Sequence, residues 1–282
     1  VILSGKSRIA GVMGWPVGHS RSPRLHGFWL QQYGIDGAYV PLPVPPDRIE
    51  PAIRALPALG LAGCNVTVPH KEAAFRLVDL LDPAAKRIGA VNTIVVRPDG
   101  SLEGRNTDAF GFRENLRDGA PAWDPAAGPA VVVGAGGAAR AVAVALLDSG
   151  VPELRLVNRT RARAEELAAD LGPGVPVRVI PWEWRASALA DAGLLVNTTT
   201  QGMAGQAGLD LPLAGLPPAT VVTDIVYTPL LTPLLKEAKA RGNPVVDGLG
   251  MLLHQARPGF QAWFGLAPKV TPELRRFVLE GL

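Results

Sequence analysis

Two rhythms of apolar residues alternate along the first hundred positions. RIAGVMG, GAYVPLPV and GCNVTVPH are short, nearly continuous apolar runs and predict strands, while SPRLHGFWLQQYG, PDRIEPAIRALPALG and KEAAFRLVDLL place apolar residues at helical spacing. Strands alternating with helices predict a mainly parallel α/β sheet. VNTIVVRPDGSLEGRNTD breaks the rhythm, because two extended runs flank a Pro-Asp-Gly turn and predict a hairpin. After the loop-rich RDGAPAWDPAAGPA a second series opens with AVVVGAGGAARAVAVALLDSG. It continues through the strands LRLVN, VRVI, LLVNTT and VVTDIVY, with helical segments between several of them. PVVDGLGMLLHQARPGFQAWFG adds a strand and a helix, and TPELRRFVLEGL a last helix with Thr271 at its cap and Pro272 behind it. The expectation is two α/β domains, with the boundary between residues 107 and 128.

Composition narrows the chemistry. The chain has 282 residues, 48% of them apolar, which is enough for two cores. One cysteine, Cys64, excludes a disulfide framework and a thiolate metal cluster, and the four histidines have no ligand spacing, so no metal is expected. There is no basic-then-apolar leader and no run long enough to span a bilayer; a cytoplasmic protein with no membrane partner is expected. The net charge of +3 is dispersed, without the clustering that a nucleic-acid face needs. Only six of the 28 basic residues are lysine, a strong preference for arginine.

The glycine-rich turn in VVVGAGGAARA is the most informative local signal. A buried strand runs into Gly134, Gly136 and Ala139, the G-x-G-x-x-A form of a dinucleotide-binding turn. Gly134 permits the tight turn, Gly136 lets backbone amides approach a pyrophosphate, and Ala139 lets the helix pack close to the sheet. The following strand ends in LVNRTRAR. Asn158 occupies the position where an acidic residue usually accepts from the ribose hydroxyls of NAD, and Arg159, Arg161 and Arg163 follow. A carboxylate there would repel the extra phosphate of NADP, whereas a neutral Asn beside guanidinium groups would hold it. NADP is therefore the expected cofactor.

In the first half, polar residues collect where strands end. Ser20 and Ser22 stand one residue apart in GHSRSPRLH; Ser22 before Pro23 has the grammar of an N-cap, which leaves Ser20 unexplained. NVTVPHK puts Asn65 and Thr67 on one face of a strand, with Lys71 at the start of the next helix. In a chain that prefers arginine, lysine there suggests a need for a removable proton. Asn92 in VNT and Asn106, Thr107 and Asp108 in GRNTDAFG close further elements, although Asp108 also suits a simple helix cap. Strand ends with convergent polar groups are where open α/β sheets bind ligands.

Taken together, GHSRSPRLH, NVTVPHK, GAVNT, GRNTDAFG, GAGGAARA, NRT, DIVYTPLLTPLL and DGLGMLLHQA, in that order along essentially the whole chain, resemble the shikimate dehydrogenase family. The resemblance implies a substrate-binding domain of residues 1–107 plus 248–282, a Rossmann-type NADP-binding domain of residues 108–247, and substrate in the cleft between them. It implies reversible NADPH-dependent reduction of 3-dehydroshikimate to shikimate, a step of aromatic amino acid biosynthesis. Ser20 and Ser22 would bind the carboxylate, with Tyr227 also approaching it. Thr67, Asn92, Asp108 and Gln255 would bind the ring hydroxyls, Asn65 would belong to the same substrate set, and Lys71 would reach the reacting oxygen, paired with Asp108 as the catalytic residues. On the cofactor side it implies Gly134, Ala135, Gly136, Gly137 and Ala138, the run Asn158, Arg159, Thr160 and Arg163, then Ile225 and Gly248. A homodimer is left open.

Two departures are peripheral to that chemistry. Gly27 stands where the family often has Asn, and the acidic residue with which some members contact NADP would fall near Pro83. Two alternatives stand beside this reading. One is the same fold acting on quinate or an amino analogue, with NADP or NAD; relatives favouring quinate tend to carry threonine at the second serine and an acidic residue at the cofactor strand, against Ser22 and Asn158 here. The other is a non-catalytic NADP-binding sensor, which would be free to lose Lys71 or Asp108.

Overall fold

The computed structural model describes residues 2–280. Its elements follow the alternation of the sequence. The first series comprises β1 (Arg8–Gly14), α1 (Ser22–Gln32), β2 (Gly37–Pro43), α2 (Ile49–Ala55), β3 (Leu61–Val66), α3 (Lys71–Leu77), β4 (Leu80–Leu81), α4 (Pro83–Ile88), β5 (Thr93–Val96) and β6 (Leu102–Arg105). The second comprises α5 (Asp108–Gly119), β7 (Ala130–Val133), α6 (Gly137–Asp148), β8 (Leu154–Val157), α7 (Arg161–Asp170), β9 (Val177–Ile180), β10 (Leu194–Asn197), β11 (Val221–Asp224), α8 (Pro233–Ala240) and β12 (Val245–Val246). Helices α9 (Leu249–Phe264) and α10 (Pro272–Leu279) complete the chain. Two compact units result: residues up to Thr107 together with Leu252 onward, and Asp108–Met251. The chain thus returns to the first unit part-way along α9.

The sheet of the first unit has the order β2-β1-β3-β5-β6-β4. β1 pairs in parallel with β2 and β3, and the β5–β6 hairpin adds two antiparallel pairings. Pro41 and Pro43 lie in β2, at the sheet edge, where a residue without an N–H does no harm. The expected turn of the hairpin is present: Gly100, at φ +83°, donates its N–H to the carbonyl of Arg97 at 2.9 Å. One helix expectation needs correction. KEAAFRLVDLL is helical only to Leu77, because Asp79 leaves the helix to bond Leu102, and Leu80–Leu81 forms β4 against β6. Helix α4, which the apolar pattern did not announce, is started by Asp82, whose carboxylate accepts from the Ala85 N–H at 2.6 Å, with Pro83 behind it.

The second unit holds an all-parallel sheet of order β12-β11-β10-β7-β8-β9. β7, β8, β10 and β11 are buried along their whole length, as parallel strands covered on both faces must be. Alternation divides the core. Ala130 and Val132 join Phe112, Val142 and Leu146 on one face, while Val131 and Val133 join Leu189, Leu234 and Leu235 on the other. No helix among the described residues is long and apolar enough to cross a membrane.

Candidate functional site

The polar residues of the first unit meet along one edge of its sheet, at the carboxyl ends of β3 and β6 and the amino end of the antiparallel β5. Asn65, near the end of β3, donates from Nδ2 to the carbonyl of Asn92 at 3.1 Å and to Thr93 Oγ1 at 3.0 Å. Asn92 then bonds Thr107 three ways: its Nδ2 reaches Thr107 Oγ1 at 3.0 Å, and its Oδ1 accepts from the Thr107 N–H at 2.9 Å and from Oγ1 at 3.2 Å. Gln255 of α9 brings its Oε1 within 3.4 Å of both Asn92 Nδ2 and Thr107 Oγ1. All five side chains are buried, at 0–8% exposure, so their polar atoms depend on one another or on a ligand for hydrogen bonds.

Lys71 and Thr67 belong to the same corner. Thr67 is tied by its N–H to the carbonyl of Met13 at 2.9 Å, and Gly14 makes room for it: a Cβ on Gly14 would meet Thr67 Cγ2 at 2.5 Å. His70 closes the turn by donating its N–H to the Thr67 carbonyl at 2.9 Å, and its ring Nε2 lies 2.7 Å from the carbonyl of Val44. Lys71, partly buried, is the first residue of α3, as the sequence predicts, and its carbonyl accepts from the N–H of Val91, the neighbour of Asn92, at 3.0 Å.

The serine pair corrects one expectation. Ser22 does not cap α1; it is the first helical residue, after Arg21, whose side chain makes no cap bond. It is buried at 5% exposure, with its hydroxyl beside that of Tyr39. Ser20, partly exposed, takes the role at the helix start instead: its Oγ accepts from the Ser22 N–H at 3.3 Å. Tyr39, on β2, was read from sequence only as part of a strand. Its hydroxyl donates to Asn65 Oδ1 at 2.6 Å, which ties β2 to the asparagine network. The phenol is pushed well above its ordinary value by burial. His26 stacks on its ring at 3.9 Å, with the planes 2° apart, and burial lowers His26 to about 3. Burial likewise pushes the Cys64 thiol up to about 12, which leaves it inert.

In the second unit the glycine turn has the expected form. Gly134 has φ +118°, in the region that favours glycine, and its position leaves no room for a Cβ beside Thr198. Gly136 is the N-cap of the twelve-residue α6, and nothing lies within 4 Å of where its Cβ would be, so the helix-start amides are open to an incoming group. Ala135, Gly137 and Ala138 are partly buried around it, and Ala139 is fully buried against the sheet. At the end of β8, Asn158 Nδ2 donates to the carbonyl of Thr160 at 2.8 Å. Thr160 is the N-cap residue of α7, without a side-chain cap bond. Arg161 pairs with Glu165 at 2.7 Å, whereas the exposed Arg159 and Arg163 make no ion pair among the described residues. Ile225 and Gly248 lie together, since a Cβ on Gly248 would collide with the Ile225 carbonyl group. Tyr227 follows two residues after Ile225, partly buried.

Sequence reasoning also missed a buried trio behind this turn. Asn197 Nδ2 donates to both carboxylate oxygens of Asp224 at 3.1 Å, and Thr232 Oγ1 donates to Asp224 Oδ2 at 2.8 Å. Burial raises the Asp224 carboxyl from its ordinary value, and these bonds with the Val226 N–H oppose the rise. Asn197 Oδ1 fixes Thr199 at 3.0 Å through its N–H, and Thr198 Oγ1 donates to the Val133 carbonyl at 2.7 Å, so the trio shapes the strand end that faces Gly134. Buried Asn and Asp at strand ends, in NTT and TD, were the available signal.

Comparison with known proteins bears on both units. The family description "Shikimate dehydrogenase substrate binding domain" matches residues 12–94, and "Shikimate / quinate 5-dehydrogenase" matches residues 125–203. The chain is 69% identical over 277 residues to a shikimate dehydrogenase (NADP(+)) of Paramagnetospirillum magneticum, covering 98% of this chain and 100% of that one. Among solved structures, shikimate 5-dehydrogenase of Thermus thermophilus in complex with NADP(H) and shikimate aligns with a TM-score of 0.85 at 39% identity, covering 98% and 100% of the two chains. Quinate dehydrogenase of Corynebacterium glutamicum in complex with NAD aligns with a TM-score of 0.89 at 32% identity, covering 97% and 99%.

Proposed function

The chain belongs to the shikimate dehydrogenase family, and from that premise we propose that it catalyses the reversible, NADPH-dependent reduction of 3-dehydroshikimate to shikimate. The observation that carries this reading is the buried network of Asn65, Asn92, Thr107 and Gln255 beside Thr67 and Lys71. A polyhydroxylated ring needs such donors and acceptors; a packed core does not. Ser20 and Ser22 at the start of α1 receive the carboxylate, where hydroxyl donors and the helix dipole both favour an anion. Tyr227 is assigned to the carboxylate, and Thr67, Asn92, Asp108 and Gln255 to the ring hydroxyls, with Asn65 as their neighbour. On this assignment residues 1–107 and 248–282 form the substrate domain, and residues 108–247 the cofactor domain.

The second unit fits NADP by its own features. The open amides at Gly136 suit the pyrophosphate, and Arg159 and Arg163, free of ion pairs among the described residues, with neutral Asn158 between strand and helix, suit the extra phosphate. Gly134 to Ala138, Thr160, Ile225 and Gly248 complete that site. When bound, NADPH supplies the hydride. Lys71 stands at the reacting oxygen, gives it the proton and stabilises charge that develops there. Asp108, buried next to Thr107, is its catalytic partner. The same reading places the enzyme in the cytoplasm and leaves a homodimer open.

Quinate with NAD is the second reading, favoured by the likeness to the Corynebacterium quinate dehydrogenase; Ser22 and Asn158 weigh against it. The direct check is reduction of 3-dehydroshikimate followed by loss of NADPH absorbance. Steady turnover is expected, and its absence with active-site titre confirmed by NADP binding would return the chain to the sensor class.

A further inference from the structure

We propose that Tyr39 is a positioning residue of the substrate site, which holds Asn65 in its working orientation and directs the hydroxyl of Ser22. The direction of every bond in this chain is forced. The carbonyl of Asn92 can only accept, so Asn65 must turn its Nδ2 toward it, and both amide hydrogens are used on Asn92 O and Thr93 Oγ1. Asn65 Oδ1 therefore accepts, and Tyr39, 2.6 Å away, is the donor. With its one hydrogen so used, the Tyr39 oxygen can act only as an acceptor toward the hydroxyl of Ser22 beside it. The relay runs Tyr39 to Asn65 to Thr93, and Thr93 Oγ1 passes it to Asn92 Oδ1 at 2.9 Å.

The Tyr39 ring is held for this task. It is 7% exposed, stacked face to face on His26 and flanked by Trp263, whose ring centre is 5.9 Å away. Among the described residues His26 bonds nothing through either ring nitrogen, and it is fully buried, so its ring acts as a plate. When a carboxylate arrives, Ser22 can turn its single hydrogen to the stronger, charged acceptor. Tyr39 keeps Asn65 fixed while that happens, so one end of the substrate is recognised without loosening the other.

This inference rests on the dehydrogenase reading and is tested by steady-state kinetics of Tyr39→Phe, which removes one oxygen and keeps the ring. KM for shikimate should rise about five- to tenfold, the loss expected when a buried amide oxygen loses its donor, with kcat and KM for NADP within about twofold of wild type. In an Asn65→Ala background the same substitution should add less than about twofold, because Tyr39 acts through Asn65. Incorporation of 3-fluorotyrosine at position 39, which retains the hydroxyl, should keep the wild-type KM and covers the case in which Tyr39→Phe folds poorly. An unchanged KM in Tyr39→Phe, additive effects of the two substitutions, or a raised KM with 3-fluorotyrosine would each overturn the positioning role while the wild-type enzyme remains active. A wild type without turnover would overturn the dehydrogenase reading itself, and this role with it.

Discussion

At the scale of single residues, the polar groups that the unit could fold without are the ones given a chemical role. Lys71 opens α3 with its carbonyl anchored to Val91, so its side chain is delivered from a fixed turn. Lys71→Ala should lower kcat by roughly two to four orders of magnitude while changing KM for shikimate far less, as steady-state kinetics would read; equal losses in both would make Lys71 a positioning group. Arg159 lacks an ion-pair partner among the described residues, unlike Arg161. Arg159→Ala should raise KM for NADP roughly tenfold and leave KM for NAD within about twofold, since the charge-assisted bond it loses exists only with the extra phosphate. Most of these residues were legible as polar clusters at strand ends. Tyr39 and Thr93 were not, because an aromatic and a β-branched residue in an apolar run read as strand formers, and only the fold brings Tyr39 to Asn65. Ser22 was misread for a related reason: Ser-Pro is a good local cap pattern, and burial against Tyr39 overrode it.

At the scale of elements, alternating strands and helices were readable because each has its own period, and β7 to α6 was readable because its turn has only one residue type that fits. Gly134 has φ +118° and lies close against Thr198 and Thr199. Gly134→Ala should destabilise the second unit by roughly 1–3 kcal/mol and weaken NADP binding, checked by thermal unfolding with and without NADP; unchanged unfolding would show that the turn tolerates a Cβ. Short elements were less legible. β4 has two residues and α4 six, too few for periodicity to register, and their placement depends on Asp79 and Asp82 bonding β6 and the α4 N-terminus. The mixed pairing of the first sheet, parallel at β1 and antiparallel around the hairpin, likewise follows from tertiary pairing rather than from any one run.

For the whole molecule, buried ionisable groups tie stability to pH with opposite signs. His26 is about 3 when folded and 6.5 unfolded, so the unfolded chain binds the extra proton between those values. Its contribution is complete above about pH 6.5 and is lost as pH falls toward 3, at up to about 1.4 kcal/mol per pH unit. Asp224, raised by burial, works the other way, since the folded state holds its proton longer and gains stability as pH falls through its raised value toward its ordinary one. The difference between wild type and His26→Phe isolates the first effect: the variant should lose less stability between pH 7 and pH 4.5 in denaturant titrations, and equal losses would remove His26 from the acid response.

Both units are joined in one prediction about specificity, which rests on Ser22 in the first and on Asn158 with its arginines in the second. Initial rates from nicotinamide absorbance, with shikimate or quinate each paired with NADP or NAD, test it most directly. Fast turnover confined to shikimate with NADP is the expected result; comparable rates with quinate or with NAD would contradict it.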